Sequence, residues 1–283
     1  MTNKPFQLVD VFAEEPFTGN PVAVVFDSDD LSTDQMLQMT RWFNLSETTF
    51  LVSPTDPAAD YRVRIFTLAG ELPFAGHPTL GTCHAWLRNG GQPKDATEIV
   101  QECNVGLVRI RRSDETLAFA APPLIRTGEV EESKLEEIVQ ILGISRDDIV
   151  DAQWVNNGPG WVAVLLESAE KVLAVEPARY HPAQAFLGIV GAYPAGSPAA
   201  FELRAIFSNQ FGGLMEDPVT GSLNASVAQW LFASGRAKTS YVASQGLRVG
   251  RRGVVRISQD ADGEGQVWVG GKSLTLFEGN SSY

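Results

Sequence analysis

Gly76-His77-Pro78-Thr79-Leu80-Gly81-Thr82 decides how this chain is read, because its pattern returns 140 positions later as Glu216-Asp217-Pro218-Val219-Thr220-Gly221-Ser222. An apolar helical pattern follows each copy: Leu80, Cys83 and Leu87 after the first, and Leu223, Val227, Trp230 and Leu231 after the second. Proline suits a first helical turn, where its missing N–H has no intrahelical partner to lose. The pattern therefore predicts two helix starts, with His77 and Asp217 at the N-cap positions. A helix N-terminus presents unpaired N–H groups and partial positive charge. Two of them aimed at one cleft would hold a carboxylate or another anion.

The same offset holds elsewhere. Val22-Ala23-Val24-Val25 falls on Val162-Ala163-Val164-Leu165, and Gly106-Leu107 falls on Gly246-Leu247. Landmarks that keep one spacing without net insertion mark an internal duplication. The fold class expected is α+β, with two pseudo-symmetric domains, each a β-rich sheet wrapped around a central helix. Their helix starts would meet across a cleft, a common place for a ligand pocket. Pro122-Pro123 breaks the pattern, which sets the domains at 1–123 and 124–283, the last strand being free to return to the first domain.

Along the chain, Phe6 to Phe12 and Val22 to Phe26 read as a hairpin around Gly19-Asn20-Pro21. Ser32 with Gln35 reads as a capping box that opens a helix ending at Asn44. Strands are expected at Thr48 to Val52, Tyr61 to Phe66, Ile99 to Val100, Leu107 to Ile110 and Thr116 to Ala120. In the second half a helix through Leu135 and Leu142 stops at Gly143. A strand at Trp161 to Leu166, a helix at Pro218 to Ala233, and strands at Val254 to Ile257, Gln266 to Val269 and Ser273 to Phe277 complete the reading.

Of the 283 residues, 44% are hydrophobic and 20% charged, with a net charge of −12. That balance suits a globular chain with an ample core and argues against a nucleic-acid partner, whose phosphates need a basic surface. The N-terminal residues carry no apolar signal-peptide core and no run reaches membrane-spanning length, so a cytoplasmic enzyme with no membrane partner is expected. Cys83 and Cys103 have neither metal-ligand spacing nor disulfide density. His77 and His84 lack a third ligand, and no metal is expected. His181 reads as a surface or core-edge residue. Gly270-Gly271-Lys272-Ser273 ends like a phosphate loop without its leading glycine, and no dinucleotide fingerprint occurs. The economical reading is a site without a cofactor.

Histidine is a poor N-cap, so His77 calls for a reason beyond capping, and an imidazole facing a carboxylate can pass or hold protons. Asp217 reads either as an ordinary N-cap or as that facing acid. Glu47, between a helix and a strand, reads either as a solvated strand-edge residue or as a carboxyl in the cleft. Its counterpart at the 140 offset is Leu187, so chemistry carried by Glu47 would be one-sided, unlike that of a symmetrical racemase.

The segments Phe17-Thr18-Gly19-Asn20-Pro21-Val22-Ala23-Val24, Asn44-Leu45-Ser46-Glu47-Thr48, Leu72-Pro73-Phe74-Ala75-Gly76-His77-Pro78-Thr79, Glu216-Asp217-Pro218-Val219-Thr220-Gly221-Ser222 and Ser244-Gln245-Gly246 together resemble the PhzF family. These are phenazine-biosynthesis isomerase-like proteins with the diaminopimelate epimerase fold. The resemblance implies a homodimer and a cofactor-independent isomerase acting on a small carboxylated substrate. In that implied scheme Glu47 is the acid/base, His77 and Asp217 handle protons, and Asn20, Gly76, Gly221 and Ser222 bind substrate. Epimerases of the fold carry cysteines where this chain has His77 and Asp217, which argues against two-thiol chemistry. An epimerase or racemase using other bases, and a non-catalytic protein that binds a small ligand or a partner, stay open as alternatives.

Overall fold

The computed structural model describes residues 3–113, 115–209, 211–261 and 265–282. The chain divides into two compact units, Met1–Ala120 with Gly270–Tyr283, and Ala121–Val269.

In the first unit β1 (Asn3–Val11) and β2 (Asn20–Val25) form the expected antiparallel pair, with Val11 opposite Asn20. Ser32 and Gln35 make a reciprocal capping box on α1 (Thr33–Phe43), and Asn44 closes it in the left-handed region at φ 55°. β3 (Glu47–Val52) runs parallel to β2, and β4 (Tyr61–Phe66) returns antiparallel to β3. After the two-residue β5 (Glu71–Leu72) comes α2 (Gly76–Arg88), then β6 (Glu98–Cys103), β7 (Gly106–Arg112) and β8 (Leu117–Ala120).

The second unit opens with β9 (Arg126–Glu129) and α3 (Glu132–Leu142), stopped by Gly143 at φ 66°. β10 (Ile149–Asn156), β11 (Val162–Leu166), α4 (Ala169–Ala174), β12 (Phe186–Ala192), β13 (Phe201–Ser208) and β14 (Leu214–Asp217) precede α5 (Gly221–Ala233). β15 (Tyr241–Gln245), β16 (Gly253–Gln259) and β17 (Val267–Gly271) follow. One apolar cluster packs Leu135, Ile138, Ile141 and Leu142 of α3 against Val162, Val164 and Ile189. Buried Arg204 ties β14 to α4: it donates to the Val172 and Val175 carbonyls at 3.1 and 2.6 Å and pairs with Glu216 at 2.7 Å. The chain then returns to the first unit as β18 (Ser273–Ser282), which lies antiparallel to β1 with Asn3 opposite Ser282.

The duplication is visible in register. β2 and β3 pair in parallel with Val22 opposite Glu47, and β11 and β12 pair in parallel with Val162 opposite Leu187, the same positions shifted by 140. Each unit also holds one helix buried nearly all round. α2 buries every residue from Gly76 to Cys83, and α5 buries Gly221 and most positions from Leu223 to Leu231. Small residues make this possible, because they let strands approach a helix from several sides. A Cβ on Gly81 would stand 2.4 Å from Val22 Cγ1 and 2.9 Å from Val11 Cγ2. In the second unit the relief lies on the strand: a Cβ on Gly188 would stand 2.5 Å from Leu223 Cδ1.

The helix starts differ from the sequence expectation. The N-cap of α2 is Ala75, in extended conformation at φ −152°, which puts His77 inside the first turn. The N-cap of α5 is Thr220, three residues after Asp217. Asp217 cannot cap, because its backbone is still paired with Ala205 as the last residue of β14 and stays extended. Neither His77 nor Asp217 is therefore an N-cap.

Among the described residues no group of three or more His, Cys, Asp or Glu side chains could hold a metal ion, and no helix is long and apolar enough to cross a membrane. Lys272 of the phosphate-loop look-alike instead pairs with Glu14 at 3.4 Å and Glu115 at 2.5 Å.

Gly81→Ala should lower stability even though alanine is the better helix former by about 1 kcal/mol. Overpacking against Val22 and Val11 costs about 1–3 kcal/mol, so the net loss should be at most about 2 kcal/mol. A urea midpoint equal to or above that of the parent would show that the two valines give way.

Candidate active site

The first unit sets its candidate residues on a clamped loop. Asp10, buried, accepts the Thr18 and Gly19 N–H groups at 3.0 Å each, one on each carboxylate oxygen. Gly19 is required there, since a Cβ would lie 2.1 Å from the Val11 carbonyl oxygen. Phe12 and Phe17 hold left-handed φ values of 61° and 70°, uncommon for aromatic residues. The loop so fixed delivers Asn20, fully buried, and Pro21 to the start of β2.

Parallel pairing then places Glu47, the first residue of β3, opposite Val22. Its side chain is 16% exposed, with Oε2 at 3.5 Å from Nε2 of buried His77. The solvated strand-edge alternative is thus set aside. His77 bonds to the Pro21 backbone, which has only a carbonyl to offer, so the ring nitrogen involved is a donor. No hydrogen bond satisfies Nε2, which makes Nδ1–H that donor. The ring is neutral at ordinary pH: burial drives its pKa down to about 3, partly opposed by the Pro21 bond. A neutral ring with its hydrogen on Nδ1 turns the bare lone pair of Nε2 toward Glu47. Two lone pairs facing each other repel, whereas one proton between them makes a hydrogen bond if the 3.5 Å gap closes slightly.

In the second unit Thr220 Oγ1 donates to Asp217 Oδ2 at 2.6 Å, so the acid is held beside the start of α5 without capping it. Ser222 in the first turn accepts on its Oγ from Trp161 Nε1 at 3.0 Å, and its carbonyl accepts from Asn157 Nδ2 at 2.8 Å. Neither Ala75 nor Thr220 makes a side-chain cap bond, unlike Ser32 on α1. Of the expected residues, the first unit thus gathers Asn20, Glu47, Gly76 and His77, and the second gathers Asp217, Gly221 and Ser222.

Sequence reasoning missed the groups that hold these in place. Asp10 anchors the loop, and a buried glutamine lies beneath each helix start. Gln101 of β6 donates to Thr79 Oγ1 at 3.0 Å and accepts from Tyr61 Oη at 2.9 Å, while Gln245 of β15 bonds Thr220 and Asn224. Gln245 lies in the Ser244-Gln245-Gly246 segment noted above, which gave it no role, and the only sequence signal of Gln101 is a polar residue inside a strand pattern.

The whole chain fits known proteins. Residues 9–279 match the family model described as phenazine biosynthesis-like protein, PhzC-PhzF. The chain is 34% identical to trans-2,3-dihydro-3-hydroxyanthranilate isomerase of Pseudomonas aeruginosa over 98% of each chain. It is also 34% identical, over 99% of each chain, to antisense-enhancing sequence 1 of Schizosaccharomyces pombe. A crystal structure of a PhzF family phenazine biosynthesis protein from Enterococcus faecalis matches with a TM-score of 0.80 at 23% identity, covering 100% of both chains. Fold and relatives define the class, an isomerase built on the diaminopimelate epimerase-like fold. The chain belongs to the phenazine biosynthesis-like PhzC-PhzF family, as its motifs implied.

The depressed His77 pKa makes stability depend on pH. Between about 6.5 and about 3 the unfolded ring binds a proton that the folded ring refuses, so stability is complete above 6.5 and falls as pH drops through that window. The slope from this residue approaches ~1.4 kcal/mol per pH unit. Urea unfolding at pH 7 and pH 4.5 should therefore show wild type losing more stability than His77→Gln, and equal losses would contradict a buried neutral ring.

Proposed function

We propose that this isomerase moves a proton and a double bond within a small carboxylated, cyclic substrate by acid/base catalysis at Glu47. The observation that carries the reading is the Glu47–His77 pair, with Oε2 and Nε2 3.5 Å apart and the imidazole oriented by Pro21. In the ionised form Glu47 takes the proton from an activated carbon. The C–H electron pair enters the conjugated system, the double bond shifts, and Glu47 returns the same proton to a carbon further along on the same face. Atoms and charge balance without an added cofactor.

His77 serves here as the partner that accepts or releases a hydrogen bond as Glu47 changes protonation, which a neutral ring with a free Nε2 lone pair can do. The N–H group at Gly76 in the first unit, and those at Gly221 and Ser222 in the second, are the anion-binding groups of this reading. Asn20, buried at the start of β2, is the amide assigned to substrate binding. Asp217 contributes a second proton-handling group. The relative from Pseudomonas aeruginosa is named for trans-2,3-dihydro-3-hydroxyanthranilate, an amino-substituted cyclic diene carboxylate of the kind this chemistry suits. A homodimer belongs to this reading on the family resemblance. Leu187 at the position equivalent to Glu47 disfavours the epimerase alternative, since inversion of a stereocentre calls for a base on each face.

Proton NMR in deuterated buffer with trans-2,3-dihydro-3-hydroxyanthranilate tests the assignment. Glu47→Gln should reduce turnover by about 10²–10⁴-fold while leaving the melting temperature and ligand affinity nearly unchanged. Turnover at the wild-type rate in that variant would rule Glu47 out as the base.

A further inference from the structure

Gln245, at the end of β15, is fully buried and uses every hydrogen-bonding position it has. Its Nε2 donates to the Asp217 backbone carbonyl at 3.1 Å and to Thr220 Oγ1 at 3.0 Å. Its Oε1 accepts from the Thr220 N–H at 3.1 Å and from Asn224 Nδ2 at 2.8 Å. The amide cannot be turned over, because its nitrogen would then face the Thr220 N–H, donor against donor. Asn224 is fixed in turn by the bond from its Nδ2 to the Thr220 carbonyl at 3.0 Å.

This arrangement dictates where the Thr220 hydroxyl hydrogen goes. Oγ1 receives a hydrogen from Gln245 and cannot give one back, since an amide nitrogen accepts nothing. Its own hydrogen is left for Asp217 Oδ2, at 2.6 Å. We infer that Gln245 is a positioning residue for Asp217, acting through the Thr220 hydroxyl to fix the rotamer of that carboxylate and the hydrogen it accepts. The inference rests on the reading that Asp217 handles protons in the reaction. The first unit supplies a contrast. Gln101 also donates to a threonine hydroxyl, that of Thr79, but its other bond comes from Tyr61, a phenol rather than a carboxylate. Pinning a helix start is common to both glutamines, and orienting an acid is particular to Gln245.

The test reads the carboxylate directly, in full-length protein labelled with carboxyl-¹³C aspartate at one neutral pH. The Asp217 signal is assigned by its loss in Asp217→Asn. Gln245→Met and Thr220→Val should each displace it, and Thr220→Ser, which keeps the hydroxyl, should leave it at the wild-type position. An Asp217 signal unmoved in the folded Gln245→Met or Thr220→Val protein overturns the relay and leaves Gln245 as a helix-start brace. Should Gln245→Met not fold, the side-chain ¹⁵N–H pair of Gln245 in Thr220→Val decides: a shift supports the bond to Oγ1, and no shift overturns it. With trans-2,3-dihydro-3-hydroxyanthranilate as probe, Thr220→Val should lower kcat about tenfold to a hundredfold with KM within about threefold, as expected for loss of one hydrogen bond to a charged group. Absence of wild-type turnover on that probe would count against the functional reading alone, while the carboxyl signal still decides the relay.

Discussion

A neutral imidazole, buried and tied to a backbone carbonyl, faces a carboxyl group 3.5 Å away, and the first unit is arranged around that contact. Burial strips His77 of water and keeps it uncharged. The Pro21 carbonyl then selects the tautomer, and the tautomer decides which atom meets Glu47. Proline suits this position because its backbone, having no N–H, can only accept. Each step upstream is a backbone constraint rather than a chance meeting of side chains. Asp10 holds the Thr18-Gly19 turn, the turn sets Pro21 at the head of β2, and the parallel register seats Glu47 one residue along from Pro21 on the neighbouring strand.

The second unit uses the same plan for a different purpose. Its parallel pair repeats the register, yet Leu187 stands where Glu47 stood and Gly160 where Asn20 stood. Its acid comes from the end of a strand and is held by the Thr220 hydroxyl, whereas in the first unit it is the imidazole that is held, by the Pro21 carbonyl. Duplication thus supplied two similar frames, and the frames diverged in which polar groups they carry. With an overall charge of −12, attraction of an anionic ligand cannot come from the surface at large. In the proposed reading that task goes to the first turns of α2 and α5, which lack side-chain caps.

Much of this was legible from residue types alone where the causes are local. The Ser32–Gln35 box, the left-handed stops at Asn44 and Gly143, and the strand Tyr61–Phe66 each depend on neighbours within a few residues. The repeat motif pointed to the right residues for the site but misjudged their backbone setting. Whether Pro218 begins a helix is decided by Ala205, which holds Asp217 in a strand from 12 positions away in sequence. β12 and β13 went unread for a similar reason, as their pairing partners are distant and Gly188 and Gly191 weaken the strand pattern. Gln101 was invisible, and Gln245 was noted only as part of Ser244-Gln245-Gly246 without a role, because a polar residue in a strand looks solvated until the burial of its neighbours is known.

The return of β18 to β1 makes the first unit discontinuous, with the second unit's 121–269 lying between its two pieces. As the chain leaves the ribosome, β1 therefore has one edge without its β18 partner until nearly all of the sequence has been translated. At roughly 5–20 residues per second that delay lasts on the order of ten seconds or more, during which an open strand edge invites the wrong neighbour. The second unit suffers no such wait, being continuous. Chaperone dependence of this protein should accordingly concentrate on its first hundred residues, where the Glu47–His77 pair lies.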